Sequence, residues 1–288
     1  MEHLMFYEQI SQLGQGQPVK IFDTVMGSDY EYFRLHWHKE VELLKLSGGI
    51  GNYAINSVSY QVGDGDIVII SPQMLHYGKV DQRFPLSCRV VQFSLDTLKN
   101  PMMPEITKKF IQPFENEELM FTPIIKAEDY PEISAAIDRL AELNLYDSDE
   151  NSFLIQSELC KIYGNLIKNK LYQSSARAGS TDSNSIKDII SYIGDHLIQK
   201  ITVDELAAVA GYSRYHFLRY FKKHTGTTCV HYINTMRLSL AANLLINTGL
   251  PVSIIGENVG IPNTSYFIKI FTGHYHLTPL DFRKYYSV

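Results

Sequence analysis

The apolar residues of this chain change their spacing partway along it, and this change constrains the fold more than any other feature. From about residue 19 to about residue 95 the chain consists of short apolar segments separated by turn residues: FRLHWHKEVELL, GNYAINSVSYQV, GDGDIVIISP and LSCRVVQFSL. Such segments predict an antiparallel sheet, with Asn56 and Ser57 as one of its turns. From Tyr130 onward the spacing becomes that of amphipathic helices. The pattern predicts an α+β fold in which strands precede helices.

A stretch without long apolar side chains, SSARAGSTDSNS at residues 174–185, predicts a flexible linker. The chain length of 288 residues also favours two domains over one. We therefore expect a first domain over residues 1–173 and a second, wholly helical domain over residues 186–288. Residues 186–288 carry a net charge of +4 and residues 1–185 one of −9, which indicates a polyanionic partner for the second domain.

The cysteine count and the absence of long apolar segments indicate a cytoplasmic protein. The three cysteines, Cys88, Cys160 and Cys229, form no CxxC pair, so neither a disulfide framework nor a zinc module is expected. The first ten residues lack the basic and apolar regions of a signal peptide. No segment reaches the roughly 18 uninterrupted apolar residues that a membrane helix needs. We expect a soluble protein that does not contact a membrane.

The basic and aromatic stretch GYSRYHFLRYFKKHTG, at residues 211–226, predicts a helix that follows a shorter one. Thr202 and Glu205 have the spacing of a capping box for the short helix, Gly211 ends it, and Ser213 caps the longer helix. Apolar side chains at i, i+3, i+4 and i+7 predict a packed face of the longer helix: Phe217, Tyr220, Phe221 and His224. A second face at the same spacing stays exposed: Tyr215, Leu218, Arg219 and Lys222, with Arg214 before them.

The same arrangement of helices returns further along the chain, after a long helix at about residues 231–247. VSIIGENVG repeats the short helix, and the helix after it has a core face of Phe267, Ile270 and Phe271. Two helix-turn-helix units on one connecting helix are typical of proteins that place recognition helices in successive major grooves, about 34 Å apart. Ordinary helical hairpins with a solvated basic surface are the alternative, and the repetition argues against them.

Four segments of the second domain resemble the DNA-binding domain of the AraC/XylS transcription regulators: ITVDELAAVAGYSRYHFLRYFKKHTG, RLSLAANLLINT, GIPNTSYFIKIF and TPLDFRKYY. The resemblance covers about residues 186–286. It implies base contacts from both recognition helices: Tyr215, Leu218 and Arg219 in the first, and Thr264, Ser265 and Lys269 in the second. Arg214 and Lys222 of the first unit are further candidate DNA-binding residues. The second unit departs from the family pattern at four places, and these departures predict weaker DNA binding by that unit. They are Gly256, Ile261, Thr272-Gly273 and His276.

The stretch FRLHWHKEVELL alternates polar and apolar residues and is predicted to form one strand. Its polar face either contacts water, or lines a barrel cavity while the apolar face packs on neighbouring elements, and the alternation does not distinguish these alternatives. His36, His38 and Glu42 resemble the first motif of the cupin barrels in their spacing, and GDGDIVIISPQMLH, which ends at His76, resembles the second. Met74 stands where that second motif has glycine.

The cupin resemblance implies an antiparallel β-barrel with flanking helices and a polar cavity. The candidate ligand-binding residues are Arg34, His36, His38, Glu42 and His76. In cupins such histidines and a glutamate can also hold a divalent metal ion. Whether the last four of these residues do so here stays open, and no cofactor is otherwise expected.

Two functions from different classes fit these observations. The first is a transcription activator that binds promoter DNA and acts on RNA polymerase in response to a small-molecule effector. A carbohydrate is favoured by the polar residues of the cavity and by aromatic rings that could stack on a sugar, such as Tyr53, Tyr60 or Tyr77. The second is a cupin metalloenzyme with a helical appendage. For the regulator we expect a homodimer formed by a helix from about Phe153 to Leu171, whose apolar stripe has no obvious partner within its own domain.

Overall fold

A computed structural model describes residues 19–26, 32–56, 58–80, 85–145, 149–175 and 181–286. The chain divides into two compact units at Ser180, one covering Gly14–Ser180 and one that includes Thr181–Val288. The strands of the first unit are β1 (Val19–Met26), β2 (Tyr32–His36), β3 (Val41–Ser47), β4 (Ile50–Ile55), β5 (Val58–Gly63), β6 (Asp66–Ile70), β7 (His76–Val80), β8 (Leu86–Phe93), β9 (Leu119–Phe121), β10 (Ile124–Lys126) and β11 (Tyr172–Ser174).

The strands form two larger antiparallel sheets and a small two-stranded one. The five-stranded sheet has the order β1-β8-β3-β6-β10, the four-stranded sheet the order β2-β7-β4-β5, and β11 pairs with β9. The hairpin of β4 and β5 turns at Asn56, whose φ of 47° lies in the left-handed region that asparagine tolerates. The predicted antiparallel pairing of the strands is confirmed. The predicted turn is confirmed at Asn56, whereas Ser57 lies outside the described residues.

Two hydrophobic cores lie on opposite faces of the five-stranded sheet. Successive side chains of a strand point to opposite faces. On β3, therefore, Val41 and Leu43 contribute to the core that the helices cover, and Leu44 and Leu46 to the core between the two large sheets. All four are fully buried, and each contributes roughly 1.5–3 kcal/mol relative to exposure to water. The space between the two large sheets is thus filled by an apolar core to which both sheets contribute.

The stretch FRLHWHKEVELL, predicted as one strand, forms two strands in different sheets. β2 ends at His36 in the four-stranded sheet, and β3 begins at Val41 in the five-stranded sheet. Between them the chain crosses from one sheet to the other, and the amide of Gln73 donates to the carbonyl of His38 at 2.7 Å. The prediction was wrong because alternation reports the direction of side chains and not the sheet to which a strand belongs.

The helices that follow the strands are α1 (Pro104–Phe110), α2 (Gln112–Glu115), α3 (Pro131–Asn144) and α4 (Asp149–Lys168). The last three pack on the outer face of the five-stranded sheet, whereas α1 buries no side chain. The apolar stripe of α4, expected to lack a partner, is buried within its own unit at Leu159, Ile162 and Leu166. This basis for the dimer prediction was therefore wrong. Periodicity shows that a helix has an apolar face, but it does not show which surface covers that face.

The second unit is helical throughout its described residues, as predicted. Its helices are α5 (Thr181–Asp195), α6 (Val203–Val209), α7 (Arg214–Thr225), α8 (Cys229–Asn247), α9 (Val252–Asn258), α10 (Thr264–Tyr275) and α11 (Pro279–Tyr286). The linker predicted at residues 174–185 is shorter, because Ser174 ends β11 and α5 begins at Thr181. Backbone pairing and helix starts need no apolar side chains, so composition alone overestimates a linker. None of the helices described has the length and apolar character needed to cross a membrane.

Candidate functional site

A cluster of polar side chains lies inside the β-unit, where the two large sheets face each other. His36 ends β2, His38 lies in the crossing, Glu42 lies on β3 beside the inward-facing Leu44, and His76 begins β7. His76 is 0% exposed, and His38 and Glu42 are 7% exposed each. Of the two alternatives left open by the sequence, the structure therefore selects the one in which these polar side chains line the interior.

The contacts within this cluster are short. His38 Nε2 lies 2.7 Å and His76 Nε2 lies 3.3 Å from the same carboxylate oxygen of Glu42, Oε2. The ring of His36 completes the group, with its centroid 4.1 Å from that of His76 and 5.6 Å from that of His38. One ring nitrogen from each histidine and one carboxylate oxygen of Glu42 all lie within 4.8 Å of one another. The crossing between the sheets brings these residues together, because His36 and Glu42 belong to different sheets.

Burial and charge act against each other at Glu42. Burial by itself raises the pKa of this carboxyl, but the contacts with His38 and His76 outweigh it and hold the pKa well below its ordinary range. Burial, reinforced by the negative charge of Glu42, raises the pKa of Tyr53 and of Cys88 well above the ordinary values. Glu42 is therefore ionised, and the tyrosine and the thiol beside it are neutral, at physiological pH.

Tyr53 adds a further polar atom to this interior. It is fully buried on β4, its ring is stacked at 6.3 Å on that of His76, and its hydroxyl has no hydrogen-bond partner among the described residues. The sequence pointed to Tyr53 only as one of several tyrosines, together with Tyr60 and Tyr77, both of which are half-buried. Of the predicted ligand-binding set, Arg34 lies on β2, but its side chain is outside the part of the structure that is described.

The first helix-turn-helix unit has the local structure that its sequence predicts. The Thr202 hydroxyl accepts from the Glu205 amide, and the Glu205 carboxylate accepts from the Thr202 amide at 2.7 Å, which completes the capping box. Gly211 turns the chain at a φ of 68°, where a side chain would be strained, and Ser213 caps α7. Phe217 of α7 is then fully buried, as are Phe221 of α7 and Leu206 of α6.

The opposite face of α7 is exposed. Tyr215 is 73% exposed, and Leu218, Arg219 and Lys222 also contact solvent. The Arg219 guanidinium lies over the Tyr215 ring at 5.8 Å, so the two side chains form one cation–π pair on this face. Arg214 donates to the Asp204 carboxylate of α6 at 2.8 Å, and its charge is partly balanced within the protein. The side chains predicted to contact DNA are thus brought together on one surface.

The second unit repeats this arrangement with a different surface. Asn263 caps α10, and Phe267 and Phe271 are fully buried against α9 and α11. The predicted DNA-contacting residues lie on the other side of the helix: Ser265 and Lys269 are exposed, and Thr264 is half-buried. Ile268 and Tyr266 are exposed on α10 as well. The exposed surface of α10 therefore combines hydroxyl-bearing and apolar side chains with a single lysine.

Two arginines connect each helix-turn-helix unit to the chain segment that precedes it. The sequence motifs did not point to either arginine. Arg237 of α8 donates through Nε to the Leu197 carbonyl at 2.8 Å, and also to the Gln199 carbonyl. Arg283 of α11 donates through Nε to the Leu245 carbonyl at 3.1 Å. Each guanidinium satisfies carbonyl groups near the end of a helix that precedes a unit. The sequence signal that could have revealed these two residues is an arginine on a helix face whose other residues are apolar.

Comparison with known proteins places both units in one family. Residues 24–161 match the AraC-like ligand binding domain, and residues 206–285 match a helix-turn-helix domain. The chain belongs to the AraC family of transcription regulators. It binds DNA through the helix-turn-helix domain and a ligand through the N-terminal domain, which confirms the predicted regulator class. The relatives are transcription regulators, and this favours the first of the two functions that the sequence left open.

Individual relatives agree with this assignment. The chain is 24% identical to YdeC of Bacillus subtilis, an uncharacterized HTH-type transcriptional regulator, over 275 residues that cover 93% of this chain and 92% of YdeC. It is 34% identical to the regulatory protein SoxS of Escherichia coli over 98 residues, 34% of this chain and 92% of SoxS. The solved structure of ToxT from Vibrio cholerae has a similar fold, with a TM-score of 0.50 at 12% identity, and covers 94% of this chain and 100% of ToxT.

Proposed function

We propose that this regulator activates transcription from a promoter when a small carbohydrate binds between the two sheets of its N-terminal unit. The observation that carries the proposal is that α7 and α10 each bury two phenylalanines on one side and expose a set of polar side chains on the other. Exposed faces of this kind suit insertion into a major groove. RNA polymerase is the partner through which an activator acts, and the cytoplasm is the compartment in which the promoter lies.

The two units should contribute unequally to recognition. Arg219 can bond the O6 and N7 atoms of a guanine together, an interaction of roughly 1–3 kcal/mol in discrimination between bases. Tyr215 supports the guanidinium from one side. Lys269 provides a single positive charge, and the end of α10 carries Thr272 and Gly273, at positions equivalent to Lys222 and Lys223 in α7. The first unit therefore specifies the sequence more strongly, and the second mainly adds area and orientation.

Titrations on the native promoter and on base-substituted versions, at one fixed salt concentration, test this division. Arg219→Ala should weaken binding by about 10- to 100-fold and reduce the preference for the native bases. Lys269→Ala should reduce affinity less and leave the preference intact. Lys284→Ala is the control, because Lys284 is exposed on α11 outside both recognition helices. Equal losses from Arg219→Ala and Lys269→Ala would contradict the proposed division, and unchanged affinity in both would contradict the DNA interface itself.

The carbohydrate proposal rests on the polar groups between the sheets. His38, Glu42 and the Tyr53 hydroxyl provide buried donors and acceptors next to an aromatic ring, and His36 adds a half-buried one. Hydroxyl-rich ligands use this combination of groups. Calorimetric titration with a panel of mono- and disaccharides tests it. No saturable binding to any sugar, combined with intact promoter binding, would replace the carbohydrate by another effector class.

The homodimer remains a proposal on the predicted helix, but at its exposed N-terminal end and not along its buried apolar stripe. Leu145 after α3 and Phe153 and Leu154 on α4 are exposed apolar side chains close in sequence, and Phe153 is 78% exposed. Burial of this group between two copies would remove apolar area from water. Phe153→Glu should convert a sedimenting dimer into a monomer, whereas Met102→Glu, at another exposed apolar position, should not. A Phe153→Glu chain that still sediments as a dimer would contradict this surface.

A further inference from the structure

A tyrosine of the second recognition helix is held by the long helix that connects the two units. The Tyr266 hydroxyl of α10 accepts a hydrogen bond of 3.1 Å from the side-chain amide of Asn234 on α8. A second bond joins the same two helices, from the Tyr275 hydroxyl to the Leu238 carbonyl oxygen at 3.4 Å, and it is buried. Tyr266 is 45% exposed and Asn234 is half-buried, so the first bond lies at the side of this contact that faces solvent.

The Tyr266 hydroxyl is placed to donate a hydrogen bond to a bound molecule. A tyrosine hydroxyl can both accept hydrogen bonds and donate one. The bond from Asn234 uses this hydroxyl as an acceptor, and the structure records no acceptor for its own proton among the described residues. Because Asn234 already fixes the oxygen, a group that accepts this proton binds without the cost of ordering the side chain.

The position of Tyr266 around the axis of α10 determines which part of a DNA duplex its hydroxyl meets. At 100° per residue, Tyr266 lies about 100° from Ser265 and about 60° from Lys269, the residues predicted to contact bases. A helix with its side chains is about 10–12 Å wide and the major groove about 12 Å, so the flank of the helix meets the sugar–phosphate wall of the groove. Tyrosine side chains are among the groups that bond phosphate oxygens.

We propose that the Tyr266 hydroxyl, positioned by Asn234, donates a hydrogen bond to one phosphate oxygen of the duplex that this protein binds. A bond to a charged acceptor is stronger than one between neutral groups. The contact fixes the register of the second unit without a positive charge, on a helix that carries a single lysine. The equivalent residue of α7 is His216, whose ring packs on Tyr212 of its own unit with the centroids 4.4 Å apart.

Removal of the hydroxyl alone tests the proposal. The probe is a duplex that the full-length wild-type chain selects from a random library. Tyr266→Phe should weaken binding to this duplex by about 10-fold, as expected for one lost hydrogen bond to a charged group. Tyr285→Phe, at a tyrosine that is 77% exposed on α11 outside both recognition helices, is the matched control and should bind as the wild-type chain does.

Two features of the loss distinguish a phosphate contact from base reading and from a charge effect. The loss in Tyr266→Phe should be equal on the selected duplex and on base-substituted versions, because a phosphate carries no sequence information. The dependence of affinity on salt concentration should stay that of the wild-type chain, because a neutral donor releases no counterion. A loss confined to particular base sequences would assign Tyr266 to base reading and overturn the phosphate contact.

Single methylphosphonate substitutions, each of which replaces one charged phosphate oxygen by a methyl group, identify the phosphate. At the contacted position the substitution should weaken binding by the wild-type chain and by Tyr285→Phe, but weaken binding by Tyr266→Phe much less. If Tyr266→Phe keeps the sensitivity of the wild-type chain at every phosphate, the hydroxyl has a structural role and the proposal is overturned. Circular dichroism and thermal unfolding establish that each variant is folded.

The role of Asn234 is tested through Tyr266. Asn234→Ala should weaken binding by about 3- to 10-fold, the cost of ordering one side chain on binding. In a chain that already carries Tyr266→Phe it should cause no further loss, because Asn234 acts through the hydroxyl. Losses that add in full would overturn this positioning role, and unchanged affinity in Tyr266→Phe would overturn the contact. The proposal rests on the DNA-binding function, which fails separately if the wild-type chain selects no duplex, and the proposal then fails with it.

Discussion

Tyr53 lies between the two sheets, fully buried, with a hydroxyl that has no hydrogen-bond partner among the described residues. An unsatisfied buried hydroxyl costs about 1–3 kcal/mol in the free energy of unfolding. Sequence alone cannot reveal this, because Tyr53, Tyr60 and Tyr77 occur in similar strand contexts. We expect this hydroxyl to bond the ligand that is proposed to lie between the sheets.

Tyr53→Phe should therefore leave the free energy of unfolding unchanged or raise it by about 1 kcal/mol, because the lost hydroxyl has no partner to leave unsatisfied. The same substitution should shift the effector dose–response to roughly tenfold higher concentrations, as expected for one lost hydrogen bond. Urea unfolding and a promoter-reporter titration measure the two effects. Tyr60→Phe, in the half-buried tyrosine of β5, is the control. A clear loss of stability in Tyr53→Phe would show that the hydroxyl has a structural partner.

At the scale of single elements, the packing of the second helix-turn-helix unit accounts for two departures from the family pattern, those at Gly256 and Ile261. A methyl group on Gly256 of α9 would lie 2.9 Å from the Ile261 carbonyl oxygen and 3.4 Å from the Phe267 ring. The backbone at Ile261 therefore approaches residue 256 so closely that only glycine fits there without a shift. The departures at these two positions maintain the packing of α9 on α10, whereas Thr272 and Gly273 change the charge of the recognition helix.

Two glycine substitutions with opposite expected signs test this packing. Gly256→Ala should lower the free energy of unfolding by about 1–3 kcal/mol, because the added methyl group overlaps backbone that cannot move freely. Gly273→Ala should raise it by about 0.5–1 kcal/mol, because Gly273 lies inside α10 with open space around it and alanine favours the helix. Denaturant unfolding of the two variants gives the comparison. A neutral Gly256→Ala would mean that the Ile261 turn adapts.

The end of α10 shows a further local cost. His276 occupies the position equivalent to Gly226 at the end of α7, and both residues have a positive φ, 56° for His276 and 73° for Gly226. A residue with a Cβ atom is strained in this region, and glycine is not. The recognition helix of the second unit therefore ends less favourably than that of the first, although the His276 amide still donates to the Thr272 carbonyl.

At the scale of the whole molecule, the chain consists of two units with separate cores. The first unit has two hydrophobic cores of its own, and the helices of the second bury their aromatic residues against one another. Each unit therefore contains the contacts that its fold requires.

Expressed separately, residues 14–180 and 181–288 should each fold and unfold in one cooperative transition. The C-terminal piece should bind promoter DNA without responding to the effector, because the residues that match the ligand binding domain lie in the other piece. Thermal unfolding followed by circular dichroism, and DNA titration with and without effector, measure these properties. A C-terminal piece that is unfolded alone would show that the second unit needs the first for its stability, contrary to this division.

The sequence by itself determined the local structure of the helical unit. Capping at Thr202 and Ser213, the turn at Gly211 and the burial of the phenylalanines of α7 and α10 were all predicted and are present, whereas His224 and Ile270 on the same faces are half-buried. Helix starts, helix ends and side-chain faces depend on residues a few positions apart. The order of strands before helices followed in the same way from the period of the apolar residues.

Only the tertiary structure decided which surfaces these elements cover. The direction of Glu42 toward the interior, the crossing between β2 and β3, the burial of α4 at Leu159 and the fit of Gly256 to Ile261 were open or wrong at the level of the sequence. Glu42 and His76, which at the level of the sequence only the resemblance to cupins had grouped, meet across two sheets although they are 34 positions apart in the chain. Contacts of this kind depend on how distant segments pack, and the spacing of residues along one segment contains no information about its partner in space.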